Sequence, residues 1–168
     1  HTRKYWIVTM TKLTHLDEHG QASMVDIAGK VDTDRTAIAC GSISMREETL
    51  ELVTKGNTPK GDVLTVARIA GIMAAKKTSD LIPLCHPLPL SKIDINLSIN
   101  TDLPGIDIKV TVRTFGKTGV EMEALTGVTI TALTIYDMIK AVDKTMSINN
   151  IILTFKDGGK SGQFGVKP

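Results

Sequence analysis

The sequence predicts an α+β fold in which two helices pack on one face of an antiparallel β-sheet. Three observations lead to this prediction. Two long segments carry apolar residues at helical spacing, and two neighbouring segments alternate apolar and polar residues as the strands of a hairpin do. A third alternating segment lies near the end of the chain, which gives the order helix, strand, strand, helix, strand.

The elements of the first half follow in order. Residues 24–29 and 37–44 alternate apolar and polar residues and are predicted as short strands. Residues 46–55 are predicted as a short helix, and residues 62–77 as a longer one with Asp62 as its N-cap. One face of the longer helix carries small residues that permit close approach of another element, namely Ala70, Gly71, Ala74 and Ala75.

The second half contains the remaining predicted elements. Residues 93–99 and 106–112 are predicted as the two strands of a hairpin, with a turn at residues 101–105. Residues 121–142 are the longest helix candidate, because their apolar residues recur at helical spacing in spite of many threonines. Residues 151–155 form the last predicted strand.

The composition of the 168-residue chain is that of one globular domain. Apolar residues make up 42% and charged residues 23%, which excludes a disordered chain. The net charge of +2 gives no sign of a nucleic-acid partner, and no apolar run is long enough to span a membrane. Cys40 and Cys85 lie far apart in sequence, without the spacing of zinc ligands, so we expect a reduced, cytoplasmic chain with no bound metal.

Two polar motifs lie beside the first long helix. Lys60 comes just before the predicted N-cap, where an anion would be stabilised, although a solvated lysine beside a cap is the alternative. His86 lies in the segment Leu84-Cys85-His86-Pro87, whose non-helical backbone would orient a base or a hydrogen-bond donor. A histidine packed in a turn explains the same pattern.

Two further motifs lie on the last helix. Glu121 and Glu123 share a side if their segment is extended and diverge if it is helical, and acids are also common in a first helical turn. Asp137 and Lys140 are three positions apart on one helix face, which suits proton transfer or an ordinary surface ion pair. The basic, glycine-rich tail 156–162 could close over phosphates through lysines and backbone amides, although a tail of this kind is more often merely mobile. Together these groups suit a nucleotide-like substrate.

Over nearly its whole length the chain resembles the cyclic pyranopterin monophosphate synthase family of molybdenum cofactor biosynthesis, also called the protein C family. Residues 1–12 form an N-terminal arm outside the family pattern, and residues 13–168 would be the catalytic domain. The matching segments are residues 13–15, 24–26, 60–62, 67–71, 81–88, 118–126, 132–138, 140–142 and 158–162.

The resemblance implies a lyase that converts 3′,8-cyclo-7,8-dihydroguanosine 5′-triphosphate to cyclic pyranopterin monophosphate and diphosphate. It implies that Asp137 and Lys140 are catalytic. The family's substrate-binding positions correspond to Arg35, Lys60, Lys76, Leu84, Cys85, His86, Glu121, Met122, Glu123 and Lys156.

The resemblance also implies a ferredoxin-like fold and a homohexamer built from dimers, with each site at a subunit interface. No cofactor is required by the sequence, and Mg²⁺ would come only with the triphosphate. Two other classes of protein remain as alternatives. A nucleotide-binding regulatory module would not need the pair Asp137 and Lys140, and a different cyclohydrolase acting on guanine would often need zinc ligands that the cysteine spacing does not supply.

Overall fold

The computed structural model describes residues 16, 17 and 19–166. The predicted arm at residues 1–12 lies outside this part of the chain. Within the described part, four strands and four helices follow one another as β1 (Thr33–Ser44), α1 (Glu47–Thr54), α2 (Val63–Lys76), α3 (Thr78–Leu81), β2 (Leu90–Asn100), β3 (Gly105–Gly116), α4 (Glu121–Ile139) and β4 (Ser147–Asp157).

The four strands form one antiparallel sheet in the order β2-β3-β1-β4. Strand β1 is central and pairs with β3 from Thr33 to Ser44, so the two long strands are in register over their whole length. This strand order, with helices connecting β1 to β2 and β3 to β4, is consistent with the ferredoxin-like βαββαβ unit. The predicted α+β fold is confirmed, and so is the hairpin between β2 and β3.

The core lies between the sheet and the helices α2 and α4. In β3 burial largely alternates, because successive side chains of a strand point to opposite faces. In β1 residues 37–39 and 41–43 are buried in succession, so both faces of this strand are covered there. The apolar stripe of α4 covers one face of both strands and excludes water. The central core residues are Ala37, Ala39, Ile43, Ile106, Ile108, Val110, Val112, Ala124, Val128, Ala132 and Ile135.

Helices α2 and α4 pack closely and run antiparallel. Lys60, just before α2, contacts Asp137 in the last turn of α4, and Gly71 in the middle of α2 packs against the middle of α4. A Cβ atom at Gly71 would lie 3.1 Å from the carbonyl oxygen of Gly127 and would overlap the hydroxyl of Thr131. Gly71 of α2 therefore serves a close contact between the two helices of the chain.

One predicted strand is absent, and the longest predicted helix ends earlier than expected. Residues 24–29 form no strand. They lie in a loop whose turns are stabilised by local hydrogen bonds, from the amide of Ala28 to Asp26 and from the amide of Lys30 to Ile27. Helix α4 ends at Ile139 rather than at residue 142, because the amides of Val142 and Asp143 both donate to the carbonyl of Ile139.

Asp143 secures the connection between α4 and β4. Its buried carboxylate accepts hydrogen bonds from the hydroxyl of Thr49, the amide of Arg46, and both the amide and the hydroxyl of Thr145. Burial alone would raise the pKa of Asp143, but these hydrogen bonds outweigh it and hold the pKa well below its usual range. The carboxylate thus ties the start of α1 to the segment that follows α4.

Candidate functional site

Asp137 is the centre of the first candidate group, which we call the carboxylate–lysine cluster (Lys60, Asp137 and Lys140). The Nζ atom of Lys140 lies 2.7 Å from Oδ1 of Asp137, and the Nζ atom of Lys60 lies 3.0 Å from Oδ2. Lys60 also donates to the carbonyl oxygen of Asp137 at 3.2 Å. The cluster forms because α4 places Asp137 one turn before Lys140, while the antiparallel α2 begins beside that turn.

Charge attraction sets the protonation states of this cluster. Hydrogen bonds from Lys140 and then from Lys60 lower the pKa of Asp137, and the bond to Asp137 raises the pKa of Lys140. A bound polyanion would push the pKa of Asp137 upwards, so the shift in the free chain is opposite to the one expected with substrate. In the free chain Asp137 is a carboxylate and Lys140 an ammonium group at neutral pH.

The second candidate group surrounds a cleft of about 630 Å³, which we call the basic cleft. It lies between the start of β1, the segment before α4 and the tail after β4. Five cationic side chains and two carboxylates line it, which leaves an excess of three positive charges. The cations are Lys30, Arg35, Lys117, Lys156 and Lys160, and the carboxylates are Glu121 and Asp157.

Several of these cations are already hydrogen-bonded. Lys156 forms an ion pair with Glu121 at 2.9 Å, and both side chains are mostly buried. The guanidinium of Arg35 donates from Nε to the carbonyl of Gly116 at 2.8 Å and from Nη2 to that of Lys117 at 3.1 Å. The Nζ atom of Lys117 donates to the carbonyl of Ala28 at 2.8 Å. These bonds hold the three cationic side chains in place at the wall of the cleft.

Glu123 is the most perturbed acid beside the cleft. Because the segment is helical from Glu121 onwards, the two glutamates diverge, and Glu123 is only 4% exposed. Burial, together with the charge of Glu121, raises the pKa of Glu123 to about 7 in spite of a backbone hydrogen bond that lowers it. Burial and the charge of Glu123 also raise the pKa of the Cys85 thiol, so Cys85 lies near this glutamate.

His86 has one ring nitrogen committed to the backbone. Its Nε2 atom lies 2.8 Å from the carbonyl oxygen of Val25, and a carbonyl only accepts, so Nε2 carries the proton. In the neutral ring Nδ1 is therefore left as an acceptor. Leu84 and Cys85 are half-buried beside it, and Met122 is exposed in the first turn of α4.

The predicted site residues fall into two groups at opposite ends of α4. Lys60, Asp137 and Lys140 lie at its C-terminal end. Glu121 lies 16 residues before Asp137, and at 1.5 Å per residue this separates them by about 24 Å along the helix. Lys76 ends the antiparallel α2 and lies at the same end as Glu121, beside a smaller cleft of about 340 Å³. The group at this end comprises Arg35, Lys76, Leu84, Cys85, His86, Glu121, Met122, Glu123 and Lys156.

Lys30 is the cleft residue that sequence reasoning missed. It lies in the loop before β1, where no local pattern distinguishes it from a solvated lysine. Lys160 lies inside the basic, glycine-rich tail that the sequence analysis considers for phosphate binding, and Lys117 lies between Gly116 and Gly119, where the backbone can approach a ligand closely. In the described part of the chain no three histidine, cysteine, aspartate or glutamate side chains converge as a metal site. None of the helices there is long and apolar enough to cross a membrane.

Comparison with known proteins finds similar proteins over most of the chain. A model of the MoaC family matches residues 24–159. A protein of Dinoroseobacter shibae named cyclic pyranopterin monophosphate synthase is 61% identical over 155 residues, which cover 92% of this chain and 98% of the relative. Proteins of the same name from Thermomicrobium roseum and a Nostoc species are 58% and 57% identical, over 91% and 90% of this chain and 92% and 90% of their own lengths.

Proposed function

The chain belongs to the MoaC family, and we propose that its carboxylate–lysine cluster and its basic cleft are two halves of one active site. It is an enzyme of molybdenum cofactor biosynthesis that forms cyclic pyranopterin monophosphate. Its substrate is 3′,8-cyclo-7,8-dihydroguanosine 5′-triphosphate, and diphosphate is released. The observation that carries the proposal is the position of Asp137 between two ammonium groups, which supplies a base and two acids at one point.

Opening of the substrate's five-membered ring requires proton transfers to and from its nucleobase. The Asp137 carboxylate takes up a proton, and the Lys140 ammonium delivers one, with Lys60 completing the exchange. Phosphate charge close to the cluster would move the pKa of Asp137 back towards the values of a working base. The Asp137 carboxylate is bonded to both ammonium groups, and Asp137 and Lys140 are coupled in their titration.

Cyclisation needs stabilisation of phosphate charge. A sugar hydroxyl oxygen forms a bond to the α-phosphorus while the bond from that phosphorus to the bridging oxygen breaks, and the electron pair leaves with diphosphate. The hydroxyl proton passes to a base of the site. Arg35 and Lys156 are held by hydrogen bonds in the basic cleft, where fixed positive charge lowers the energy of this transition state. Lys76 adds a further cation at the same end of α4.

The nucleobase of the substrate would lie at the end of the cleft that carries the two glutamates. Glu123, with its pKa near 7, would hold a polar edge in a buried environment, and Glu121 would accept from ring N–H groups. Leu84, Cys85 and Met122 provide the apolar surface beside it, and His86 presents its Nδ1 atom. These roles are assigned by the family resemblance and are supported by the proximity of Cys85 to Glu123.

The separation of the two halves argues for a site shared between subunits. Reacting groups must lie within about 3–3.5 Å of one another, whereas Glu121 and Asp137 of one chain are about 24 Å apart along α4. A second copy related by a twofold axis near Thr129, halfway between them, would bring its own Asp137 beside Glu121. Each dimer would then contain two complete sites.

The outer face of α4 suits such an interface. It carries no charged residue between Glu123 and Asp137. Leu133 on α4 and Ile69 and Met73 on the neighbouring α2 are each about half exposed, and such exposed apolar side chains would be covered in an interface. We propose a hexamer built from three such dimers, working in the cytoplasm without a metal centre of its own. Mg²⁺ would enter only with the triphosphate.

A direct assay tests the proposed function. The purified chain should release diphosphate from the cyclised triphosphate and form cyclic pyranopterin monophosphate, while the Asp137→Asn variant should bind the substrate and release little diphosphate. Binding without diphosphate release by the wild-type chain would identify a nucleotide-binding module instead. Elemental analysis of the active protein should find no stoichiometric zinc.

A further inference from the structure

We propose that Asp143 and Arg46 are positioning residues for Lys140, because they fix the turn that holds this lysine beside Asp137. The inference rests on the proposed function, in which Lys140 delivers a proton, and it adds two residues that act through Lys140. We call residues 140–145 the anchored turn. It lies between the end of α4 and the start of β4.

Lys140 lies where the helix ends and the anchored turn begins. Helix α4 ends at Ile139, and Lys140 is its C-cap, with an amide that donates to the carbonyl of Tyr136 at 2.8 Å. The side chains of Lys140 and Asp137 are both about half exposed, and exposed ion pairs contribute little to holding two side chains in one geometry. A fixed backbone at Lys140 therefore matters more than the ion pair for keeping its ammonium group at Asp137.

The Asp143 carboxylate fixes the far end of the anchored turn from inside the protein. Its side chain has no exposed surface. Oδ1 accepts from the amide of Thr145 at 2.9 Å and from the hydroxyl of the same residue at 2.7 Å. Oδ2 accepts from the amide of Arg46 at 3.1 Å and from the hydroxyl of Thr49 at 3.0 Å. One oxygen therefore closes the turn on itself, and the other ties it to the start of α1.

The Arg46 side chain holds the middle of the anchored turn. Its Nη2 atom donates to the carbonyl of Val142 at 2.7 Å, and its Nε atom lies 3.5 Å from Oδ2 of Asp143. The amide of Val142 donates in turn to the carbonyl of Ile139, so this residue is bonded on both sides. A guanidinium group at the C-terminal end of a helix also interacts favourably with the helix dipole. Arg46 thus restrains the backbone two residues after Lys140.

A further contact holds the anchored turn from the helix itself. The hydroxyl of Tyr136 donates to the carbonyl of Lys144 at 3.3 Å, so the last turn of α4, which carries Asp137, is bonded directly to the anchored turn. Residues 142–145 are each restrained in this way, which leaves the backbone that follows Lys140 little freedom. A misplacement of about 1 Å would disrupt the 2.7 Å contact with Asp137, and shifts of this size can cost about 10²-fold in rate.

Steady-state kinetics of two variants tests the positioning role. Asp143→Asn keeps the size of the side chain but turns its NH2 group towards the backbone amide of Arg46 or of Thr145, where two donors cannot bond. Arg46→Ala removes the bond to Val142 from a half-exposed position. Each variant should lower kcat by about tenfold or more and change KM by less than about threefold.

The control for a general loss of stability is Val53→Ala. Val53 is a buried residue in the last turn of α1, away from the end of that helix which Asp143 contacts. Its truncation leaves a cavity in the core, so this variant should unfold at a lower temperature than wild type and keep its kcat.

The chemical reactivity of Lys140 gives a second measurement that needs no substrate. The hydrogen bond to Asp137 raises the pKa of Lys140 and keeps its neutral, nucleophilic form scarce. Acetylation by acetic anhydride at one fixed pH, followed by peptide mass spectrometry, measures this reactivity. It should be faster at Lys140 by about threefold or more in Asp143→Asn and in Arg46→Ala than in wild type. Lys109, an exposed lysine of β3, is the internal reference and should react equally in all variants.

The outcomes separate the positioning role from the proposed function. A lower kcat together with faster acetylation of Lys140, in both variants and not in Val53→Ala, would support the role. Unchanged reactivity of Lys140 or a normal kcat in the folded variants would overturn it, and so would an equal fall in kcat in Val53→Ala. If Asp143→Asn does not fold, Arg46→Ala decides by the same criteria. If the wild-type chain shows no turnover, the proposed function fails, and the reactivity of Lys140 alone decides the positioning role.

Discussion

The ammonium group of Lys60 lies 3.0 Å from the carboxylate of Asp137, although 77 positions separate the two residues in the chain. Sequence reasoning assigned Lys60 to the phosphates and Asp137 to proton transfer. Their contact joins the two assignments, because Lys60 shares the carboxylate with Lys140. Lys60 is therefore expected to act on the chemical step as well as on binding.

Replacement of Lys60 by alanine should lower kcat and not merely raise KM. Loss of Lys60 removes one of the two hydrogen bonds that lower the pKa of Asp137, and general acid–base groups contribute roughly 10²–10⁴-fold to rate. Steady-state kinetics would measure both parameters. Lys55→Ala removes a similarly exposed lysine that is paired with Glu51, and it should leave both unchanged. A Lys60 variant with normal kcat and raised KM would restrict Lys60 to binding.

Asp137 and Lys140 should behave as one unit. Asp137→Asn and Lys140→Ala are each expected to reduce turnover by roughly 10²-fold or more, because each breaks the same 2.7 Å bond. The double variant should be little worse than the worse single variant. Asp102→Asn, at an exposed position in the β2–β3 turn, serves as the control. Additive losses in the double variant would mean that the two side chains act independently.

Co-assembly of two inactive variants tests the shared site. Asp137→Asn and Lys156→Ala alter opposite ends of α4, so a mixed dimer would contain one site with both changes and one with neither. Random pairing of equal amounts should restore about one quarter of wild-type activity, since half of the dimers are mixed and half of their sites are intact. The activity is measured after joint unfolding and refolding. No recovery, with mixed oligomers demonstrated, would confine the site to one chain.

Glu123 should make stability depend on pH. Its pKa is about 7 in the folded chain against an ordinary value of 4.5, so the folded state binds a proton that the unfolded state releases between these values. The contribution of Glu123 to the free energy of unfolding is therefore fully present below pH 4.5 and is lost as the pH rises through 7. Glutamine cannot ionise, so Glu123→Gln should gain up to about 3 kcal/mol relative to wild type between pH 5 and pH 8.

Urea unfolding at both pH values and one protein concentration measures this difference. Glu48→Gln, at an exposed position in the first turn of α1, should show no such trend. If the difference in the free energy of unfolding between Glu123→Gln and wild type did not vary with pH, Glu123 would be ionised throughout this range.

Gly71 should be intolerant of a methyl group. A Cβ atom there would meet the side chains of Thr131 and Ile95 and would separate α2 from α4. Overpacking of this kind costs about 1–3 kcal/mol, so Gly71→Ala should lower the midpoint of thermal unfolding. It should also lower activity, because the pairing of the two helices positions Lys60 beside Asp137. Gly29→Ala, where the added atom meets nothing within 4 Å, is the matched control and should be neutral in stability. Equal unfolding midpoints for the two variants would contradict the close packing.

Local pattern was sufficient for most of the secondary structure. Asp62 caps α2 as predicted, through hydrogen bonds from the amide and hydroxyl of Thr65, because an N-cap acts only on its own first turn. The alternating apolar residues of β2 and β3 likewise predicted the hairpin. The prediction of a strand at residues 24–29 was wrong, since a strand needs a partner edge and a short alternating stretch carries no sign of one.

The sequence by itself determined the fold class, the two long helices and the residue types that the chemistry needs. It also determined that Asp137 and Lys140 meet, because one helical turn brings such positions together. Only the tertiary structure decided that Lys60 joins them, that Glu121 and Glu123 diverge, and that Lys30 faces the basic cleft. The physical reason is that helical and strand periods fix neighbours a few residues apart. Contacts over long stretches of chain depend instead on how α2 and α4 pack on the sheet.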